Sequence, residues 1–260
     1  MLCPLALALT ITTAQPDTTQ YLAVHGSVMA VRKGGKWSSL PEELPEKQVG
    51  SWKFHGFGIG KKLGSTLVTK LETGPVGGFF AFAPGREEPI ARNPWVSGRP
   101  ASVPRVVTSL SLNSSVYLPI LKAICKAEKL PGTPKLAQCL KVDLNGDGRD
   151  ELILAGTNGS RESMYDFERK LSPSNPLYSG LWLRSVDSAG RVKTEKLMLC
   201  NAKGDGALFE WMIVEGIADI DGDGKMELVT SAEYYEGISA FLWSFDGKTT
   251  KQLAGGGFGA

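Results

Sequence analysis

Two short segments of this chain carry oxygen-bearing side chains at a spacing that suits a hard cation. In VDLNGDGRDELILAG (142–156) and ADIDGDGKMELVTSA (218–232), Asp143, Asn145, Asp147, Gly148 and Glu151 fall in register with Asp219, Asp221, Asp223, Gly224 and Glu227. Side-chain oxygens at positions 1, 3 and 5 of a tight loop converge on one point. The backbone carbonyl at position 7 (Arg149 or Lys225) adds a further oxygen, and the acid at position 9 closes the shell. Gly at position 6 permits the sharp turn. Calcium takes six to eight oxygens at about 2.3–2.6 Å, whereas magnesium keeps several of its waters, so the pattern points to two calcium sites. Neither loop contains His or Cys, which sets transition metals aside. A plain turn does not require this many acids: without a cation, neighbouring carboxylates repel at a cost on the order of 1 kcal/mol per close pair.

The elements that hold these loops read as strands. An apolar run follows each loop, LILA or LVTSA, and position 12 is Leu154 or Thr230 where an EF-hand needs Glu. The sites are therefore strand–loop–strand. From Tyr21 to Phe82, short Val-, Thr-, Phe- and Trp-rich runs alternate with glycines, as in antiparallel sheet. A Pro-rich stretch from Pro84 to Pro104 reads as an irregular connection, and RVVTSLSL (105–112) as a strand. Residues 114–130 predict one helix. Val116, Tyr117, Ile120, Leu121, Ile124 and Cys125 form its apolar face, Ser114 or Ser115 caps it, and Pro131-Gly132 stops it. LWLRSVDSAGRVKTEKLML (181–199) and ISAFLWSFDGKTTKQL (238–253) predict hairpins, and the polar stretch Thr157–Tyr178 predicts a surface loop. The expected fold class is mainly β, with antiparallel blade-like sheets and one helix at about 114–130.

Both loop segments resemble FG-GAP or VCBS repeats, the units of integrin-α-like β-propellers, whose pattern is D-x-[DN]-x-D-G-x-x-[DE] followed by a strand. The likeness covers about 30 residues of the chain. The C-terminal half, a helix leading into VDLNGDGRDELILA and then DIDGDGKMELVTSAEYYEG, is also similar to bacterial exported proteins that carry this repeat. The resemblance implies a propeller-like, incomplete arrangement and calcium-binding loops.

Composition sets the remaining expectations. The net charge is +2 with no basic stripe, which argues against a nucleic-acid partner. Residues 1–14, MLCPLALALTITTA, are uncharged and end in small residues at Thr12 and Ala14, which predicts a signal peptide. The mature chain is then secreted, periplasmic or at the cell surface. No other stretch nears the roughly 18 apolar residues of a membrane span. Beyond the leader, residues 15–100 read as an N-terminal β region and 101–260 as the β region with the calcium loops. Cys125 and Cys139 suit either a disulfide or two buried thiols, and Cys200 is left over. His25 and His55 lack a catalytic partner at any familiar spacing.

The function expected from these features is a binding or scaffold module with structural calcium and an unknown protein or carbohydrate ligand. Two alternatives stand beside it. One is a carbohydrate-active enzyme, a glycosidase or lyase drawing carboxylates from Glu233, Glu236 or Glu210; it needs two acids about 5–10 Å apart in an open cleft. Strand alternation would place Glu233 and Glu236 on opposite faces, against that pairing. The other is a calcium-dependent adhesion module.

Overall fold

The computed structural model of the protein describes residues 19–41, 46–75, 77–166, 176–203 and 207–259; the expected signal peptide at 1–14 lies outside them. Antiparallel strands dominate, as the alternating runs require. The first seven are β1 (Gln20–Val24), β2 (Ser27–Lys33), β3 (Lys36–Ser39), β4 (Lys47–Gly58), β5 (Lys61–Thr73), β6 (Phe79–Phe82) and β7 (Trp95–Ser97). Six of them run β1-β7-β4-β5-β6-β2, and pairing of β1 with β2 closes the ring into a barrel, with β3 attached to β2. Two-residue turns at His25-Gly26 and Gly34-Gly35 have positive φ at both positions, the conformation that matches strand twist in tight hairpins. Register shifts along β4–β5 bend those long strands around a core that includes Phe54, Val68, Leu71, Phe79 and Trp95.

Closure of residues 20–97 into a barrel differs from the blade-like sheets expected there. It depends on β7, a three-residue strand hidden in the Pro-rich connection that fills the gap between β1 and β4. A strand that short has no period to recognise. The expected strand at 105–112 shrinks to β8 (Thr108–Ser109), which pairs with Leu140 and Lys141. Val106 there is 81% exposed, so alternation did not signify a buried face.

Two meanders follow. The first comprises β9 (Lys135–Val142), β10 (Glu151–Thr157), β11 (Leu177–Val186) and β12 (Val192–Ala202), with β8 alongside β9. The second comprises β13 (Trp211–Ala218), β14 (Glu227–Tyr234), β15 (Gly237–Phe245) and β16 (Thr250–Phe258). The two expected hairpins are β11–β12 and β15–β16. The expected surface loop after Thr157 contains a short 3₁₀ turn, Arg161–Tyr165, while 167–175 lies outside the described residues.

The helix, α1 (Tyr117–Ala127), buries Leu121, Ile124 and Cys125 against Leu136, Cys139, Leu154, Tyr178 and Trp182 of the first meander. The Ser114 hydroxyl accepts the Val116 and Tyr117 amides, both at 3.2 Å, and so caps the helix from just outside it. Cys125, Cys139 and Cys200 are free thiols, and the Tyr178 hydroxyl donates to Cys125 Sγ at 3.4 Å. Of the two readings open for Cys125 and Cys139, the structure takes the buried thiols.

The three sheets share their cores. Leu140, Val142, Leu144 and Ile153 of the first meander pack with Ile217, Leu228 and Trp243 of the second. Leu22, Met29, Phe57 and Val96 of the barrel pack with Ala218, Ile220, Val229 and Leu242 of the second.

Candidate metal centre

The two Asp-rich loops occupy the same place in the two meanders, joining β9 to β10 and β13 to β14. In each hairpin the last residue before the loop pairs with the ninth loop residue: Val142 with Glu151, and Ala218 with Glu227. The ladder thus fixes positions 1 and 9 at the mouth of one narrow turn. Glycines at positions 4 and 6 of both loops (Gly146, Gly148, Gly222, Gly224) have φ between +79° and +87°, a region costly for other residues.

Inside the loops the hydrogen bonds repeat almost bond for bond. The position-1 carboxylate accepts the position-4 amide, at 2.7 Å for Asp143 and Gly146 and 2.5 Å for Asp219 and Gly222. The position-3 oxygen accepts the position-5 amide, at 3.1 Å from Asn145 and 3.2 Å from Asp221. The position-5 carboxylate accepts the position-7 amide, at 2.9 Å for Asp147 with Arg149 and 2.7 Å for Asp223 with Lys225. The position-9 acid accepts the position-2 amide, at 2.8 Å for Glu151 with Leu144 and 2.9 Å for Glu227 with Ile220. Backbone amides therefore hold the side-chain oxygens of the two loops in the same pattern.

The electrostatics differ between the two. In the second loop Asp219, Asp221 and Glu227 each bring a carboxylate oxygen within 4.8 Å of the others. Asp219 and Glu227 are buried. Burial, followed by the charges of Asp221, Asp223 and Asp219, pushes the Glu227 carboxyl up to about 8. Asp221 is raised too, by burial and then by Asp223. In the first loop, burial and then Asp147 and Asp143 push Glu151 up to about 7. Asn145 stands there where the second loop has Asp221. Asp147 turns to the Arg149 side chain, 2.9 Å from Nη2, and its carboxyl is held below the ordinary range by that pairing. Asp223 is exposed at the rim of its loop.

Residues distant in sequence complete the surroundings. Ser102 Oγ donates to Asp219 Oδ2 at 3.0 Å, and the Ser102 and Asp219 backbones exchange hydrogen bonds at 2.9 and 2.8 Å. Arg32 Nη2 lies 3.9 Å from Asp221 Oδ2. Arg105 donates through Nε to the Asp143 carbonyl, through Nη2 to the Leu144 carbonyl at 2.9 Å, and through Nη1 to the Gly224 carbonyl at 2.8 Å. The Met226 amide donates to the Leu144 carbonyl at 2.8 Å, so the two loops touch directly. Nothing in the local pattern identifies Ser102, Arg32 or Arg105. Their roles come from chain crossings, and Arg105 lies in a segment whose alternation suggested a strand.

The donor set fits calcium. It is all oxygen, and the buried acids (Asp219 and Glu227 of the second loop, Glu151 of the first) would have their charge met by a divalent ion. Ionised carboxylate oxygens 4.8 Å apart repel by roughly 3–4 kcal/mol at an effective dielectric of about 20.

The acids named for hydrolysis have different surroundings. Glu233 is held in a two-pronged pair by Arg161, at 2.6 and 2.9 Å. Glu210 lines a cavity of about 230 Å³ with Met198, Met212, Phe241 and Trp243, and neither Glu233 nor Glu236 lines it. The strand ends at Tyr234, so the alternation assumed for 233–236 stops in a turn. His25 does find an acid: Nε2 lies 2.9 Å from Glu215 Oε1, which also accepts the Ser231 hydroxyl at 2.6 Å. That contact joins the β1–β2 turn of the barrel to the second meander. Trp37, Trp95, Trp182 and Trp243 are buried, which accounts for most of the tryptophans as core. Among the described residues, no helix is long and apolar enough to cross a membrane.

No protein-family model matches the chain, and searches of curated proteins and of solved structures find no match either.

Proposed function

We propose that the protein is an exported calcium-binding β protein, secreted, periplasmic or at the cell surface, that acts as a binding or scaffold module with structural calcium. Its two meanders stand as FG-GAP/VCBS-type blades, the unit of propeller folds, beside a closed barrel. The observation that carries this reading is the repeated loop, in which the same amide-to-carboxylate bonds hold a buried acid at position 9 of each copy. Asp143, Asn145, Asp147, Glu151 and the Arg149 carbonyl would hold one ion. Asp219, Asp221, Asp223, Glu227 and the Lys225 carbonyl would hold the other. The ion supplies positive charge to a point where the chain gathers carboxylates.

The residues around the loops then act structurally. Ser102 orients Asp219, and the Leu144 and Ile220 amides orient Glu151 and Glu227. The loops rest on cores that reach all three sheets, so filling them stiffens the scaffold. The partner, a protein or a carbohydrate, would meet the surface loops, where binding residues concentrate. Calorimetry tests the reading: two calcium ions should bind per chain, and Asp147→Ala with Asp223→Ala together should abolish both. Undiminished calcium binding in that double variant would overturn it.

A further inference from the structure

The two loops are bonded to each other at the segments that present their ligands. The Leu144 peptide is the junction: its amide holds the Glu151 carboxylate at 2.8 Å, and its carbonyl accepts the Met226 amide at 2.8 Å and Arg105 Nη2 at 2.9 Å. Across the gap, Arg105 Nη1 holds the Gly224 carbonyl at 2.8 Å. Residues 224 and 226, on either side of the Lys225 carbonyl, are therefore both anchored to the first loop. Leu144 and Met226 are buried, which shields the bond between them from competing water, while the Arg105 bond to Gly224 is exposed.

From this geometry we infer that the two loops form one coupled cation-binding unit, in which filling either loop raises the affinity of the other, with Arg105 as the positioning residue. The inference rests on the calcium reading. The shared hydrogen bonds form only when both loops hold their closed shapes. Ordering the first loop fixes Leu144, and Leu144 with Arg105 then fixes the 224–226 segment of the second. The second ion meets a loop that has already lost part of its freedom, which is positive coupling. Arg105 suits the task because its planar fork reaches three carbonyls at once. The three bonds it donates here go to carbonyls and not to the loop carboxylates. Mutual repulsion of two divalent ions works in the opposite direction, so the sign of the coupling is itself a test.

Calcium titrations of the intact chain and its variants at one ionic strength measure the coupling. Asp147→Ala leaves only the 219–227 site, and Asp223→Ala leaves only the 143–151 site. In the intact chain the product of the two stepwise Kd values should be smaller than the product of the two single-site values by about fivefold or more. In Arg105→Gln, with the same two single-site variants built on it, that ratio should fall below about two while both sites still bind. Arg105→Lys keeps the charge without the fork and should behave as Arg105→Gln does. A ratio near one in the intact chain overturns the coupling and leaves the calcium sites standing; a ratio inverted by repulsion does the same. A ratio unchanged in Arg105→Gln and Arg105→Lys overturns the role of Arg105. No calcium binding by the intact chain overturns both readings. Should Arg105→Gln fail to fold by circular dichroism, the chains that keep Arg105 still decide the coupling.

Discussion

Arg149 competes with any cation for Asp147. Its side chain contacts Asp147 Oδ2 at 2.9 and 3.3 Å, on an exposed surface where water and salt screen the pair. Its carbonyl, the expected ligand, does not depend on that side chain. Arg149→Ala should therefore tighten the 143–151 site by up to about fivefold in a calcium titration. A weaker site would mean that the guanidinium assists the loop. The second loop has four carboxylates against three and an amide, three of them already converging. The 219–227 site should bind more tightly, and Asn145→Asp should narrow the difference. Titrating Asp147→Ala against Asp223→Ala checks the order; tighter binding by the chain that keeps 143–151 would show that charge does not set it. These candidate ligands stand out in the sequence because they lie within nine residues of one another. Ser102, Arg32 and Arg105 do not, since Arg105 reaches Gly224 across 119 residues and no local pattern records that crossing.

The helix and its seat depend on two kinds of contact. Leu121 is buried against Gly156, where an added Cβ would come within 2.4 Å of Leu121 Cδ1. Leu121→Ala should cost about 2–5 kcal/mol in urea unfolding, as large-to-small changes in a packed core do. Ser114→Ala removes the hydroxyl that accepts two first-turn amides and should cost about 1 kcal/mol. If both variants unfold as the parent does, α1 is not part of the cooperative structure. The helix was legible from its apolar face and its Pro-Gly stop, and the β11–β12 and β15–β16 hairpins from apolar runs around tight turns. β7 was not, at three residues, and of the strand expected at 105–112 only the two residues of β8 form. Barrel closure was hidden for a related reason: it is decided by which strands meet across long separations, Leu22 with Val96 for example.

Because the loops rest on cores shared by all three sheets, calcium should act on the stability of the whole chain. Binding to the folded state alone contributes about 2.7 kcal/mol per site at a hundredfold excess over Kd. That corresponds to a rise in Tm of about 5–10 °C per site for a chain of this size. The same curve in chelator and in millimolar calcium would exclude a structural role. The increment should also depend on pH. Glu151 and Glu227 have folded-state values raised to about 7 and about 8, above the ordinary 4.5 of a glutamate. The fold holds their protons better than the unfolded chain does. Without calcium, their contribution to stability is fully present below about pH 4.5 and is lost as pH rises through 7 and 8. With calcium the ionised carboxylates are the bound form, so the loss is offset. The rise in Tm on adding calcium should therefore grow from pH 5 to pH 8.5, and a constant or shrinking rise would contradict the burial of these two acids.

The barrel leaves few open rims, and this bears on how the chain behaves in concentrated solution. A strand with unpaired amides and carbonyls invites a neighbouring molecule to add to it. Here β1 and β2 pair with each other, β3 is four residues long, and β8 offers only two. β16 lies against the barrel, where a Cβ added at Gly256 would crowd the Met29 carbonyl at 3.0 Å and the Gly255 amide bonds Ser39 Oγ at 3.0 Å. The longest remaining rim, β12, carries Lys193, Glu195 and Lys196, whose charges resist stacking against a like strand. Polymerisation by strand addition is thus discouraged at these rims by closure, brevity, cover or charge.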